Sequence, residues 1–245
     1  MINLRLKSND VGLDTLSAIK EAEKFNRWMY QTIKPYCSGQ ILEIGSGIGN
    51  ISKFFLRDGY QITLSDIRND YCENLRAQFS AFGNLKGIIR LDIVHGDFEK
   101  VYQGHFSKYD TIFALNVIEH VQDDNLAISN CHNLLKANGK VIILVPALPQ
   151  LYNSFDKGLQ HYRRYTKKSL NLLIAKNNFG IIRSQYFNAI GILGWYISGK
   201  LQKNKTIPKG QMKLYDSLMP IIKLMDKILQ NRLGLSVITI AQSNK

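Results

Sequence analysis

The residues best suited to chemistry begin at Ile41-Leu42-Glu43-Ile44-Gly45-Ser46-Gly47-Ile48-Gly49-Asn50. A short apolar run enters a Gly-rich turn, and the turn opens a helix. Glycines there let a ligand approach the backbone and permit positive φ. The helix start offers unpaired N–H groups and a positive dipole end. A dinucleotide site would use GxGxxG to hold a pyrophosphate. Here the third glycine comes one residue early, giving GxGxG, and Glu43 stands two residues before Gly45. A carboxylate at that place repels a pyrophosphate and favours a cationic ligand, which disfavours a nicotinamide-dependent oxidoreductase. Asp66, with Ile67 beside it, ends the next apolar run seventeen residues after Gly49. A strand-end carboxylate can accept two bonds from vicinal ribose hydroxyls. Further on, His95-Gly96-Asp97-Phe98 offers a carboxylate and an aromatic suited to an adenine, and Asn116-Val117-Ile118-Glu119-His120 ends a fourth run.

A second group could act on an acceptor. Glu119, His120, His161 and Tyr162 are candidate proton acceptors. Gln160-His161-Tyr162-Arg163-Arg164-Tyr165 follows the fifth run, which places it over the mouth of the same pocket. Arg163 and Arg164 can hold an acidic acceptor by paired hydrogen bonds. The rival readings are a hydrogen-bonded structural histidine and a plain surface cation.

These groups need a frame. Residues 14–34 read as one helix ended by Pro35. Strands are expected over 40–44, 61–65, 88–94, 109–115, 140–146, 181–187 and 235–241, with helices over 51–57, 69–82, 123–135 and 167–176. The central strands are continuous apolar runs, as in a mainly parallel sheet covered on both faces. The fold class expected is therefore α/β, doubly wound. Residues 188–234 break the rhythm with an apolar aromatic stretch containing Trp195, a Lys-rich linker with Pro208, and an amphipathic pattern. That pattern places Met212, Tyr215, Met219, Ile222, Met225 and Ile228 on one side, and Pro220 divides it into two helices.

As a set, ILEIGSGIGN, SDI, GDF, ALNVIEHV and LLKANGKVIILVP resemble the motifs of class I S-adenosylmethionine-dependent methyltransferases, over about residues 20–180. The EHV after the fourth strand is nearest to the ubiquinone-methylase-like branch. The resemblance implies a seven-stranded Rossmann-like sheet and S-adenosylmethionine as cofactor, with no metal. It implies a cofactor pocket lined by Glu43, Gly45, Ser46, Gly47, Gly49, Asp66, Ile67, Asp97, Phe98, Asn116 and Val117. Tyr30, with Trp28, can close over the methionine end, with core packing as the rival. Tyr162, Arg163, Arg164 and Trp195 are the expected acceptor contacts. The expected organisation is one methyltransferase domain: an N-terminal helical cap (1–35), a cofactor-binding core (36–187), a helical lid (188–234), and a last strand and tail (235–245). The expected reaction is methyl transfer to a small molecule, at a hydroxyl oxygen of a lipophilic or anionic metabolite.

Composition is that of a globular chain, with 245 residues, 45% hydrophobic and 21% charged. The net charge of +13 is uneven. From Lys157 to Lys213 there are twelve basic residues and no acidic one, against 20 basic and 19 acidic elsewhere. Such a surface suits an acidic acceptor, an anionic membrane or nucleic acid. Transfer to a base amine in nucleic acid is disfavoured, because NVIE stands where an NPPY-like motif is expected; transfer to an amine, or to RNA at other atoms, stays open. A ligand binder without catalysis would not need the HYRRYT segment. Cys37, Cys72 and Cys131 form no CxxC or Cys/His cluster, so neither disulfides nor zinc are expected, and a reducing cytoplasmic setting fits. The first residues lack an apolar leader core and no run reaches about 18 apolar residues, so any membrane contact would be peripheral.

Overall fold

The computed structural model describes residues 11–201 and 210–245. Two helices, α1 (Val11–Lys20) and α2 (Glu23–Ile33), precede β1 (Ile41–Ile44). Then come α3 (Ser52–Arg57), β2 (Ile62–Asp66), α4 (Asn69–Phe79), β3 (Leu85–Arg90), α5 (Phe98–Tyr102), β4 (Tyr109–Leu115), α6 (Asp124–Leu134) and β5 (Leu135–Pro146). The chain continues through α7 (Ser154–Gly158), α8 (Lys167–Ala175) and β6 (Phe179–Phe187). It ends with α9 (Gly191–Trp195), a π-helical stretch (196–201), α10 (Gln211–Ser217), α11 (Met219–Ile228) and β7 (Ser236–Ser243). The described residues form a seven-stranded sheet in the order β3-β2-β1-β4-β5-β7-β6. Pairing is parallel from β3 to β5, and β7 runs antiparallel to both β5 and β6.

Residues 141–146 of β5 are all buried, which is why this stretch reads as an unbroken apolar run rather than an alternating one. β1 and β2 are buried throughout as well, although they carry Glu43, Thr63, Ser65 and Asp66. One core lies on each face of the sheet. Ile112, Ile128, Cys131, Val141 and Leu170 belong to one, and Ile33, Phe55, Leu64, Phe113 and Ile240 to the other. Helix starts carry side-chain caps where the sequence supplies them: the Asp123 carboxylate accepts from Leu126 N–H at 2.9 Å, and Thr166 and Asn153 each begin a reciprocal capping box. Strand order reverses between β1 and β4, so the loops after these strands part and leave a crevice at their carboxyl ends.

Three expectations shift. The single helix over 14–34 is two helices, broken at Glu21–Ala22, with the buried Asn26 amide bonding back to the Ile19 carbonyl at 2.8 Å. β3 ends at Arg90, not near 94, and residues 91–97 form turns. β5 starts at Leu135 and is longer than expected. The last two helices divide at Leu218, two residues before the expected Pro220, which sits in the first turn of α11. Ile228 faces outward, 61% exposed, while Met219 and Ile222 are buried. The linker with Lys203, Lys205, Pro208 and Lys209 lies outside the described residues. Cys37, Cys72 and Cys131 are free and buried. Among the described residues no helix is long and apolar enough to cross a membrane.

Candidate active site

A cavity of about 1220 Å3 opens at the carboxyl ends of β1, β2 and β4, beneath the helices that flank the sheet. Gly45 (φ 70°) and Gly47 (φ 56°) lie in the left-handed region. A Cβ on Gly45 would run into Val117, and one on Gly47 would sit 3.0 Å from Leu16 of α1. Only glycine accommodates both the backbone angle and this crowding. The loop is held by Ser46 N–H to the Ser65 carbonyl (2.8 Å), and by Gly47 N–H to Asp66 (2.9 Å). The other Asp66 oxygen accepts from Arg68 N–H at 3.0 Å. Burial raises the Asp66 carboxyl above its ordinary range, with these N–H bonds opposing the shift. Glu43 is buried at the foot of the loop, bonded by the Ser52 hydroxyl, and burial pushes it up to about 8.

Glu43, Gly45, Ser46, Gly47, Asp66, Ile67, Asn116 and Val117 all line the cavity, as do Glu119, His120, His161, Tyr162, Arg164 and Trp195. Six expected residues, Trp28 among them, do not. Gly49 (φ 83°) makes the turn into the next helix, its N–H bonding Ser46 at 2.9 Å, and a Cβ there would meet Phe79. Tyr30 faces the core instead, stacked on Phe54 with its hydroxyl donating to Asp58 at 2.5 Å. Phe98 packs in the core and Asp97 sits exposed at the start of α5. Arg163 pairs with Asp124 at 2.8 Å and donates to the Gln122 carbonyl at 2.6 Å.

In place of Asp97 the cavity is lined by Asp92, with Leu91 and Ile93. Because β3 stops at Arg90, Asp92 is the acid that follows the strand directly. The repeated pair Asp-Ile, at 66–67 after β2 and 92–93 after β3, was the available signal. Phe25, Asn26 and Met29 of α2, rather than Trp28 or Tyr30, also line the cavity.

On the acceptor side, the His161 ring nitrogen Nδ1 lies 2.8 Å from Asp156, which also accepts from Arg164 Nε at 2.8 Å. Burial works against the Asp156 charge, but the bonds from His161 and Arg164 hold its carboxyl below the ordinary range. A second Arg164 nitrogen donates to the Ala147 carbonyl at 2.8 Å. The His120 ring meets His161 edge-on at 4.6 Å. It is open to the cavity yet ringed by protein, and burial, then His161, lower it to about 4. Glu119 is sealed, neither oxygen has a hydrogen-bond partner, and burial pushes it up to about 8. One atom each from Glu119, His120 and His161 lie within 4.8 Å of one another. At neutral pH this cluster presents a neutral imidazole beside a protonated carboxyl.

A roof covers these groups. Phe25 packs edge-on against Tyr215 of α10 at 5.7 Å, and its N–H donates to Asp216 at 2.9 Å. Asp226 of α11 accepts from the N–H groups of Asn188 and Ala189 at 2.6 and 2.7 Å, tying the insertion back to the end of β6. Arg164 lies 4.7 Å over the Trp195 ring.

The strand order, the glycine loop after β1 and the carboxylates after β2 and β3 define the fold of class I S-adenosylmethionine-dependent methyltransferases. Residues 42–141 match a family described as a methyltransferase domain. Over 113 residues the chain is 34% identical to a lovastatin nonaketide synthase of Monascus pilosus. That match covers 44% of this chain and 4% of the synthase, so the chain spans a small part of the curated relatives it resembles. A phosphoethanolamine N-methyltransferase 2 of Haemonchus contortus, solved with S-adenosyl-L-methionine, superposes with a TM-score of 0.59 at 18% identity, over 90% of this chain and 52% of that one. A SAM-dependent methyltransferase of Archaeoglobus fulgidus gives 0.57 at 15%, over 89% and 94%. At these identities the solved structures speak for the fold.

Proposed function

We propose that this chain transfers the methyl group of S-adenosylmethionine to a hydroxyl oxygen of a lipophilic or anionic small molecule. The observation that carries the cofactor is the set of Glu43, Asp66 and Asp92 lining one cavity together with the positive-φ glycines Gly45 and Gly47. Asp66 keeps lone pairs beyond its two N–H bonds for a ribose diol. Asp92 accepts from Val94 N–H at 3.1 Å and stands for an adenine edge. A cationic methionine end beside Glu43 would favour its charged form against the burial that raises it. Bound there, the cofactor supplies a methyl on a sulfonium, already an activated leaving group, so the protein must align the acceptor and take its proton.

His120 is the base in this reading, because its ring opens into the cavity. His161 is buried and anchored by Asp156, so it positions His120 by edge contact. Glu119 backs the pair. Tyr162, Arg164 and Trp195 border the acceptor space, with the 188–234 insertion as its lid, 1–35 as the cap and 36–187 as the core. A lipophilic acceptor dissolves in membranes, so the reading includes peripheral contact with a membrane surface.

Two measurements test it. S-adenosylhomocysteine should bind in calorimetry. Mass spectrometry of a cell extract incubated with protein and S-adenosylmethionine should show a product heavier by one methylene, absent with His120→Ala. No binding of S-adenosylhomocysteine overturns the cofactor reading.

A further inference from the structure

Helix α11 has two apolar faces, and the fold uses one of them. Met219 and Ile222 are buried against the protein. Leu218, Ile221, Leu224 and Ile228 recur every three or four residues around the helix from these, and are 42%, 56%, 55% and 61% exposed. Packing explains the first row; it does not explain a second row of large apolar side chains standing in water.

Between the two rows stand Lys223 and Lys227. With Arg183 of β6 they line a separate cleft of about 400 Å3, which also takes in Gln31, whose side-chain oxygen accepts from Lys223 at 3.4 Å, and Thr32, whose hydroxyl donates to the Trp28 carbonyl. The carboxylate lining this cleft, Asp226, is already bonded by the N–H groups of Asn188 and Ala189. The cleft is therefore cationic, and it borders the exposed apolar row of α11, which Leu218 begins just before the helix.

We infer that α11 and this cleft form a docking surface for an anionic phospholipid bilayer. The apolar row enters the boundary between head groups and chains, while Lys223, Lys227 and Arg183 meet phosphates. A bilayer presents an apolar layer beneath a sheet of negative charge, which matches both features at once. A second copy of the chain fits less well. Four side chains on one helix fall short of the ~800 Å2 that each partner buries in a stable dimer. A two-fold pair would also bring the lysines of both copies together. The inference rests on the methyltransferase reading for its purpose, delivery of a lipophilic acceptor, while the surface itself stands on the residues of α11.

The test is co-sedimentation of the full chain with vesicles of phosphatidylcholine and phosphatidylglycerol, against phosphatidylcholine alone, at low and high salt. The protein should pellet with the anionic vesicles at low salt and return to the supernatant at high salt. Lys223→Gln with Lys227→Gln should weaken vesicle binding by about 30-fold. Ile221→Ser, Leu224→Ser and Ile228→Ser together should weaken it at least as much. Both variants should keep wild-type binding of S-adenosylhomocysteine, which reports an intact fold. Wild-type protein left in the supernatant with anionic vesicles at low salt overturns the proposal, as do variants that bind like wild type. A dimer in light scattering that the triple serine variant abolishes also overturns it and assigns the face to a second copy. Vesicle binding without S-adenosylhomocysteine binding would instead remove the enzyme reading and leave the surface standing.

Discussion

Asp92 and Asp97 are five residues apart in sequence and belong to different environments: one lines the cavity, the other stands in water at the start of α5. Loss of a hydrogen bond to a charged group costs roughly 1.5–3 kcal/mol. Asp92→Ala should therefore weaken S-adenosylhomocysteine by ~10- to 100-fold in calorimetry, and Asp97→Ala should leave it unchanged; equal losses would return the adenine contact to Asp97. The two histidines separate by kinetics. His120→Ala should lower kcat by ~100-fold with cofactor binding intact. His161→Ala should cost less, and should move the acidic limb of the kcat–pH profile upward, because His161 is one of the groups that lower His120. Glu119 belongs to the same scale. Its folded value is about 8, above the ordinary carboxyl range. A group raised in this way stabilises the fold fully below its unfolded value of about 4.3. That contribution is lost as pH rises towards the folded value. Glu119→Gln keeps the neutral shape without the proton. Its melting temperature, read by calorimetry, should fall less than that of the wild type between about pH 5 and pH 9.

At the scale of elements, the glycine loop divides its labour. Gly45 and Gly47 line the cavity and let Val117 and Leu16 pack close to its wall, whereas Gly49 lies off the cavity and lets the chain turn beneath Phe79. Gly49→Ala should therefore act on stability rather than on affinity. A positive φ combined with a clash against a buried ring should cost about 1–3 kcal/mol in denaturant unfolding, with the remaining folded protein binding cofactor normally. The two helices before β1 behave as separate pieces. α1 brings Leu16 over Gly47, and α2 brings Phe25 and Met29 to the cavity while turning Tyr30 into the core. Around the helix residues 25, 29 and 26 fall within about 100° of one another, and residue 30 lies about 40° beyond 26, past the edge of that side.

At the scale of the molecule, the sheet and helices α1, α2, α9 and α10 all line one cavity, so a ligand there should stabilise the fold by mass action. S-adenosylhomocysteine at a hundred times its dissociation constant contributes ~2.7 kcal/mol. For a chain of this length that corresponds to a rise of ~5–10 °C in melting temperature. Scanning fluorimetry with and without the ligand reads it directly, and an unmoved transition would mean that the cavity does not hold it. Charge is also organised at this scale. Arg164 is drawn inward to Asp156 and Arg163 pairs with Asp124, so part of the acid-free stretch serves the fold, while Lys223 and Lys227 add to the outward field from beyond it.

Much of this was legible in the chain itself. Continuous apolar runs specify buried parallel strands, and GxGxG after such a run, followed by Asp66 at the end of the next, specifies where a ligand lies, because both signals are local to a strand end. Where a strand stops is not local. β3 ends at Arg90 because its pairing with β2 ends at Asp66, and that register decides that Asp92 rather than Asp97 faces the cavity. The roles of Glu119, His120 and His161 were likewise undecided by residue type. Their separation into a sealed acid, an open imidazole and an anchored one arises from burial and from Asp156, which only packing in three dimensions supplies.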